Sequence, residues 1–303
     1  MIGFVQKVRH TILRQKLLSP GQRVAVGVSG GPDSVALTRA LAALRYDLVL
    51  VYVDHQTRTE TVVESAFVEA LASSVGALFK RVAVEPISHS EEALRDARYG
   101  AFAQLDTDRI ALGHTASDQA ETVLMRMVRG AGITGLAGIP VRRGPFVRPL
   151  LDRTRTEVVS YLSEINQGFC TDESNASLDP VRNRVRHVLL PLLQNQFLPT
   201  VERSLCRLAE TTRRDRGFIE DAARAFITDH TEPEGIAVTS LRAAHAALVP
   251  HIVRAACPEP LGFERLEAVV ALIAKGRGEV QLEGSVVAAI RRSGHLWFRP
   301  KNT

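Results

Sequence analysis

Ser29, Asp33 and Ser34 bracket a Gly30-Gly31-Pro32 turn, a grouping able to hold an anion beside a cation. Before it, Val24 to Val28 is a short apolar run rich in valine, as a strand buried on both faces reads. Pro32 stands where a first helical residue tolerates a missing N–H. Behind it, Leu37, Leu41 and Leu44 recur at helical spacing. In a strand, glycine turn and helix start taken together, free backbone N–H groups and the helix dipole converge on the turn. Glycine lets a phosphate come within hydrogen-bonding distance of the backbone. An ordinary strand-to-helix turn would not need the polar bracket. There is no Gly-Lys-Ser/Thr in the chain, so the lysine of a loop that transfers a γ-phosphate is missing.

The second grouping runs from Gly113-His114 to Asp118 and Glu121. It follows the apolar Arg109 to Leu112, so it belongs at the carboxyl end of a strand and the start of a helix. Asp118 and Glu121 are three apart and share one helical face. Acids in a first turn offset the helix dipole. On this edge they are equally suited to Mg²⁺ or to a substrate ammonium. His114 is suited either to orienting a nucleotide or to packing at the strand end.

These groups need a scaffold that brings strand ends together. Helices are expected over 2–18, 33–44, 60–75, 91–105 and 117–129, with strands at 24–28, 48–53, 78–84 and 109–112. Such alternation predicts an α/β fold with a doubly wound parallel sheet, ligands sitting at the carboxyl edge. Residues 152–230 read as mostly helical. From 236 onward helices mix with strand-like runs at 278–290 and 295–299, a small α+β module. The expected division is 1–212 for the nucleotide domain and 213–303 for a helical linker and C-terminal domain. A chain of 303 residues is long for a single core.

Gly130-Ala131-Gly132-Ile133-Thr134-Gly135 matches a dinucleotide fingerprint in letters only. It follows a helix and opens none, so a flexible loop is expected. Around it lie Arg126, Arg129, Arg142, Arg143, Arg148, Arg153 and Arg155, with Asp152 the single acid between Arg126 and Arg155. A second cluster holds Arg182, Arg184, Arg186 and His187, continued by Arg203, Arg207, Arg213, Arg214 and Arg216. Charge runs are usually solvated faces. Two arginine-rich clusters after a nucleotide domain, with net charge +5, point toward a phosphate backbone. Three dispersed cysteines lack a Cys-x-x-Cys pair and indicate neither a zinc site nor a disulfide framework. With no signal-like N-terminus and no apolar run near the ~20 residues of a membrane span, a cytoplasmic protein is expected.

Ser29 to Ser34 resembles the pyrophosphate loop of the N-type ATP pyrophosphatases, which split ATP between its α and β phosphates. The segments in order resemble the tRNA(Ile)-lysidine synthetase family. Val53-Asp54-His55-Gln56-Thr57-Arg58 is similar to its second-strand motif, with Gln56-Thr57 in place of the usual Gly-Leu. Arg95 to Tyr99, His114 to Gly135, Arg148 to Leu151, Arg155 with Glu157, and Asp172 to Asn175 match further blocks. Arg182-Asn183-Arg184-Val185-Arg186-His187, running on to Leu190-Pro191, is the most family-specific of them.

The resemblance implies ATP and Mg²⁺ as cofactors. Ser29, Gly30, Gly31, Pro32 and Ser34 would grip pyrophosphate, with His55 and His114 at the nucleotide, and Asp33 would hold the metal. Asp118 and Glu121 would hold free L-lysine, and Arg129 would act with them and Asp33 in catalysis. Arg98, Arg148, Asn183, Arg184 and Arg186 would serve lysine or a tRNA(Ile) with a CAU anticodon. A homodimer is left open. The alternatives are another adenylating enzyme of the superfamily, a tRNA thiolase or small-molecule amide ligase, and a non-catalytic nucleotide-binding module. A thiolase would be expected to carry cysteine pairs, and an amide ligase would not need the arginine clusters.

Overall fold

A computed structural model describes residues 3–54, 61–84, 99–102, 105–170, 181–275, 277–282 and 287–300. His55, Gln56, Thr57, Arg58, Arg95, Arg98 and Asp172 to Asn175, singled out above, lie outside the described residues, as does most of the helix expected at 91–105. The chain divides into two compact units, Met1–Glu210 and Thr211–Thr303.

In the first unit, β1 (Arg23–Gly27) lies between β2 (Asp47–Asp54) and β4 (Arg109–Leu112), parallel to both. β3 (Leu78–Ala83) extends the sheet beyond β2, and β6 (Phe146–Val147) runs parallel to β4. The order β3-β2-β1-β4-β6 therefore reverses direction between β1 and β4. That reversal is where the loops after two neighbouring strands part and leave a crevice at their carboxyl ends.

β1 explains its own composition. Val24 and Val26 face one core with Leu37, Leu41 and Leu50, while Ala25 faces another with Val51, Phe102 and Leu112. Both faces are buried, so the strand cannot alternate with polar residues. Helix α1 (Phe4–Arg14) adds Val8 and Ile12 to the first core, α2 (Pro32–Ala43) crosses it, and α3 (Thr61–Val75) adds Val68 and Leu71.

A hairpin of β5 (Arg142–Arg143) and β6 was not expected from the sequence. Strands of two residues are too short for any period to register. Helix α4 (Ala116–Val128) starts from a capping box in which Thr115 and Asp118 bond each other's backbone N–H. Helix α6 (Arg155–Glu164) repeats the device with Thr154 and Glu157. Between them, α5 (Ile133–Leu136) is one helical turn that begins within the segment 130–135, expected to be a flexible loop.

That segment is pinned. The Gln119 side chain accepts from Ile139 N–H at 2.6 Å and donates to its carbonyl, and Arg126 donates to the carbonyls of Gly135 and Gly138. Gly138 has φ +64°, and a Cβ there would meet Gln119 Oε1 at 2.5 Å. Arg126 is thus a fastener of the protein's own backbone, where the sequence suggested a phosphate contact.

The helical stretch continues through α7 (Val181–Arg184), a π turn (Val185–Leu189), α8 (Leu190–Gln196) and α9 (Val201–His230). Pro191 explains the π turn. It has no N–H to bond back one turn, and the preceding Leu190 N–H reaches five residues back to Val185 O. The division between the two units falls inside α9.

The second unit holds an antiparallel sheet, order β7-β8-β11-β10-β9. Its strands are β7 (Thr231–Glu232), β8 (Gly235–Ala237), β9 (Gly278–Gln281), β10 (Val287–Arg292) and β11 (His295–Pro300). Helices α10 (Val238–Ala243), α11 (Val249–Ala256) and α12 (Phe263–Ala274) accompany it, burying Leu241, Ile252 and Val269 with Leu282 and Leu296. The expected α+β module is present, with β7 and β8 added. No described helix is long and apolar enough to cross a membrane.

Candidate active site

Two loops meet at the reversal of the sheet. After β1, Gly30 takes φ +83° and Gly31 caps α2, with Pro32 in the first helical turn. Ser34 Oγ donates to Gly31 O at 2.9 Å and accepts from Ser29 N–H at 3.3 Å, closing the loop on itself. Gly30 O accepts from Cys170 N–H at 2.9 Å, which anchors the other side. The loop is preformed as a ring of backbone at a helix N-terminus, suited to an anion.

After β4, Gly113 leads to His114 and the start of α4. Asp118 Oδ2 accepts from Thr115 N–H at 2.8 Å and from the Thr115 hydroxyl at 2.9 Å. Glu121 lies one turn on and is 1% exposed. The two acids are joined by Arg182 and Arg186. Arg182 Nε donates to Glu121 Oε2 at 2.8 Å and its Nη2 to Asp118 Oδ1 at 2.7 Å. Arg186 Nε donates to Glu121 Oε1 at 2.5 Å, while its Nη2 reaches Glu121 Oε2 at 3.1 Å and Asp118 Oδ1 at 3.4 Å.

Asp33 belongs to the same electrostatic cluster. Burial first, then the Asp118 charge, push its carboxyl up to about 6, against the pull of Arg155 and Arg186. Arg155 Nη1 lies 3.3 Å from Asp33 Oδ2. Asp33 Oδ1 is buried and has no hydrogen-bond partner among the described residues. A buried carboxylate oxygen without a donor fits a divalent cation, and hard oxygen suits Mg²⁺. Asp118 behaves oppositely. Burial would raise it, but Arg182, then His114 and the Thr115 bonds, outweigh burial and hold it below the ordinary carboxylate range.

Ser29 to Ser34, Asp118, Glu121, His114 and Arg186 are therefore brought to one edge. Arg129 is not. It is exposed just past the last turn of α4, eleven residues and roughly 16 Å of helix from Asp118. Arg148 is also displaced from its expected role at substrate: it is 1% exposed and donates to Pro140 O at 2.8 Å and to the Tyr99 hydroxyl at 3.0 Å. Arg184 is exposed and Asn183 half-buried on α7.

Sequence reasoning did not assign Arg155 to Asp33 or Arg182 to the acid pair. The second was findable, since Arg182 and Arg186 are four apart and share a helical face just as Asp118 and Glu121 do.

Residues 4–193 match the PP-loop domain family. The chain is 38% identical to the tRNA(Ile)-lysidine synthase of Solibacter usitatus (strain Ellin6076), over 93% of this chain and 68% of that protein. It is 33% identical to the tRNA(Ile)-lysidine synthase of Thermosynechococcus vestitus, over 89% of this chain and 84% of that one. Among solved structures, the U34-tRNA thiolase NcsA from Methanococcus maripaludis superposes with a TM-score of 0.57 at 19% identity, over 69% of this chain and 77% of that one, a likeness of fold alone. A preformed pyrophosphate-type loop, an acid pair at the switch of a parallel sheet, and relatives matched over most of their length place this chain in the tRNA(Ile)-lysidine synthases of the PP-loop family.

Proposed function

We propose that the chain joins free L-lysine to the 2-carbon of the wobble cytidine in the CAU anticodon of tRNA(Ile), consuming ATP and releasing AMP and pyrophosphate. The observation that carries this reading is the adjacency of the Ser29–Ser34 loop, Asp33 and the Asp118–Glu121 pair on one sheet edge.

In the first step the 2-carbonyl oxygen of the cytidine attacks the α-phosphorus of ATP and pyrophosphate departs. The backbone ring between Ser29 and Ser34 receives the leaving phosphates, and Arg155 and Arg186 offset the charge that develops. Asp33 is the residue that would hold Mg²⁺, which when bound neutralises phosphate charge. In the second step the ε-amine of lysine attacks the 2-carbon, and AMP leaves with the former carbonyl oxygen. Asp118, ionised at neutral pH, suits the incoming ammonium, and the acid pair supplies an acceptor for the proton the amine must lose. The exposed arginines Arg129 and Arg184 suit the tRNA backbone.

The test is purified protein with ATP, radiolabelled lysine and tRNA(Ile) bearing CAU. The expected outcome is one lysine incorporated per AMP and pyrophosphate released. Release of ADP and orthophosphate, or incorporation without the tRNA, would defeat it.

A further inference from the structure

The acids read above as the lysine site are already matched by cations of the chain itself. One guanidinium, Arg182, spans both carboxylates, and a second, Arg186, grips Glu121 through two nitrogens. Among the described residues, both carboxylates are thus already bonded to guanidinium groups. The Glu121 side chain is 2% exposed, so little water screens the group. A lysine ammonium entering this arrangement must compete with guanidinium N–H groups for the same carboxylate oxygens in a poorly solvated place. Lysine can bind there only where at least one guanidinium gives way.

The arginines are the more exposed partners. Their side chains are 29% and 22% exposed, more than either carboxylate. Arg186 lies inside the π turn, a feature frequent at functional sites, and Arg182 is one turn before it. Phosphate is the natural competitor, since a guanidinium pairs with it through the same planar fork it offers to a carboxylate. A place for phosphate is within electrostatic reach, because the Arg186 charge acts on Asp33 in the first turn of α2.

We infer that Arg182 and Arg186 form a cation lock on the lysine site, closed on Asp118 and Glu121 in the free protein and drawn off by the phosphates of a bound substrate. The inference rests on Asp118 and Glu121 being the lysine site. It makes the two arginines positioning residues that set an order: a phosphate-bearing substrate first, lysine second. The phosphates can be those of ATP or of tRNA, and the lock works in the same way for either.

The test is equilibrium dialysis of radiolabelled lysine against the full chain in three conditions: alone, with α,β-methylene-ATP and Mg²⁺, and with tRNA(Ile) without nucleotide. The lock predicts lysine binding at least about tenfold tighter in one of the two liganded conditions, and the arm that tightens names the source of the phosphate. Arg182→Gln is expected to bind lysine more tightly than the parent in the free state and to lose part of the gain. Arg182→Lys is expected to restore weak binding, because its ammonium competes for the same acids. A merely structural Arg182 would weaken lysine binding in both variants. Equal lysine affinity of the unsubstituted chain in all three conditions overturns the lock and needs no variant. Glu121→Gln separates the two failures. If it abolishes lysine binding while the three conditions stay equal, the site stands and the lock alone falls. If it leaves lysine binding intact, the acid pair is not the lysine site and both fall.

Discussion

Gly113 packs against the peptide bond that joins Asp33 to Ser34: a Cβ at Gly113 would stand 3.0 Å from both Asp33 C and Ser34 N. Neither neighbour is the end of a flexible side chain, so the end of β4 and the first turn of α2 are locked in register. Gly113→Ala is expected to force them apart, costing about 1–3 kcal/mol. Because the shift falls on the phosphate loop, nucleotide affinity should fall as well. Thermal unfolding with and without ATP and Mg²⁺ checks this, the expected result being that ligand-induced stabilisation drops along with the unliganded melting temperature.

Asp33 carries a pH signature. Its carboxyl sits at about 6 in the folded chain against an ordinary 3.8, so between those values the folded state binds more protons than the unfolded one. Stability contributed by this group therefore falls as pH rises through that window and stays lower above it. Asp33→Asn is expected to raise the stability of metal-free protein by about 1–3 kcal/mol at pH 7.5, with the gain shrinking toward pH 4.5. Denaturant unfolding in the presence of a chelator at both pH values measures it, and a gain independent of pH would contradict the assignment. The same substitution is expected to abolish adenylation.

Arg148 should behave as a structural residue. Arg148→Ala removes one donor from Pro140 O and one from the Tyr99 hydroxyl and opens a cavity in the interior. Removing the large buried side chain together with its hydrogen bonds costs about 1–3 kcal/mol. Urea unfolding should show a loss on that scale, while tRNA affinity measured on the protein that remains folded should change little.

Arg129 and Arg184 should show the opposite pattern. Both are exposed. Arg129→Ala and Arg184→Ala are each expected to leave stability within ±0.5 kcal/mol, on the order usual for surface changes. Each should lower the slope of log tRNA affinity against log salt by about one unit, as for a lost phosphate contact. Filter binding across a salt series reads the slope, and an unchanged slope removes that residue from the interface.

The core elements of the first unit were legible because local rules and global fold agree there. The apolar run at Val24–Val28 reads as a doubly buried strand, and the helix starts expected at 33 and 117 fall within one residue of those the structure keeps. The hairpin at Arg142–Val147 was not legible, since pairing beside β4 makes its two-residue strands, not their own pattern. The loop at Gly130–Gly135 read as flexible because glycines report freedom in the chain, whereas Arg126, from a neighbouring helix, fastens its last carbonyl and, with Gln119, the residues just after it.

By itself the sequence determined the parts that depend on neighbours along the chain: the glycine turn after a strand and the acid pair on one helical face. Only the tertiary structure decided what the arginines do. A guanidinium on a long side chain carries no mark of its partner, so Arg126, Arg148, Arg182 and Arg184 read alike. Folding sends the first to loop carbonyls, the second into the interior and the third onto Asp118 and Glu121, and it leaves the fourth at the surface. Pairing across more than sixty residues depends on which faces the sheet and helices bring together, and local spacing cannot encode that.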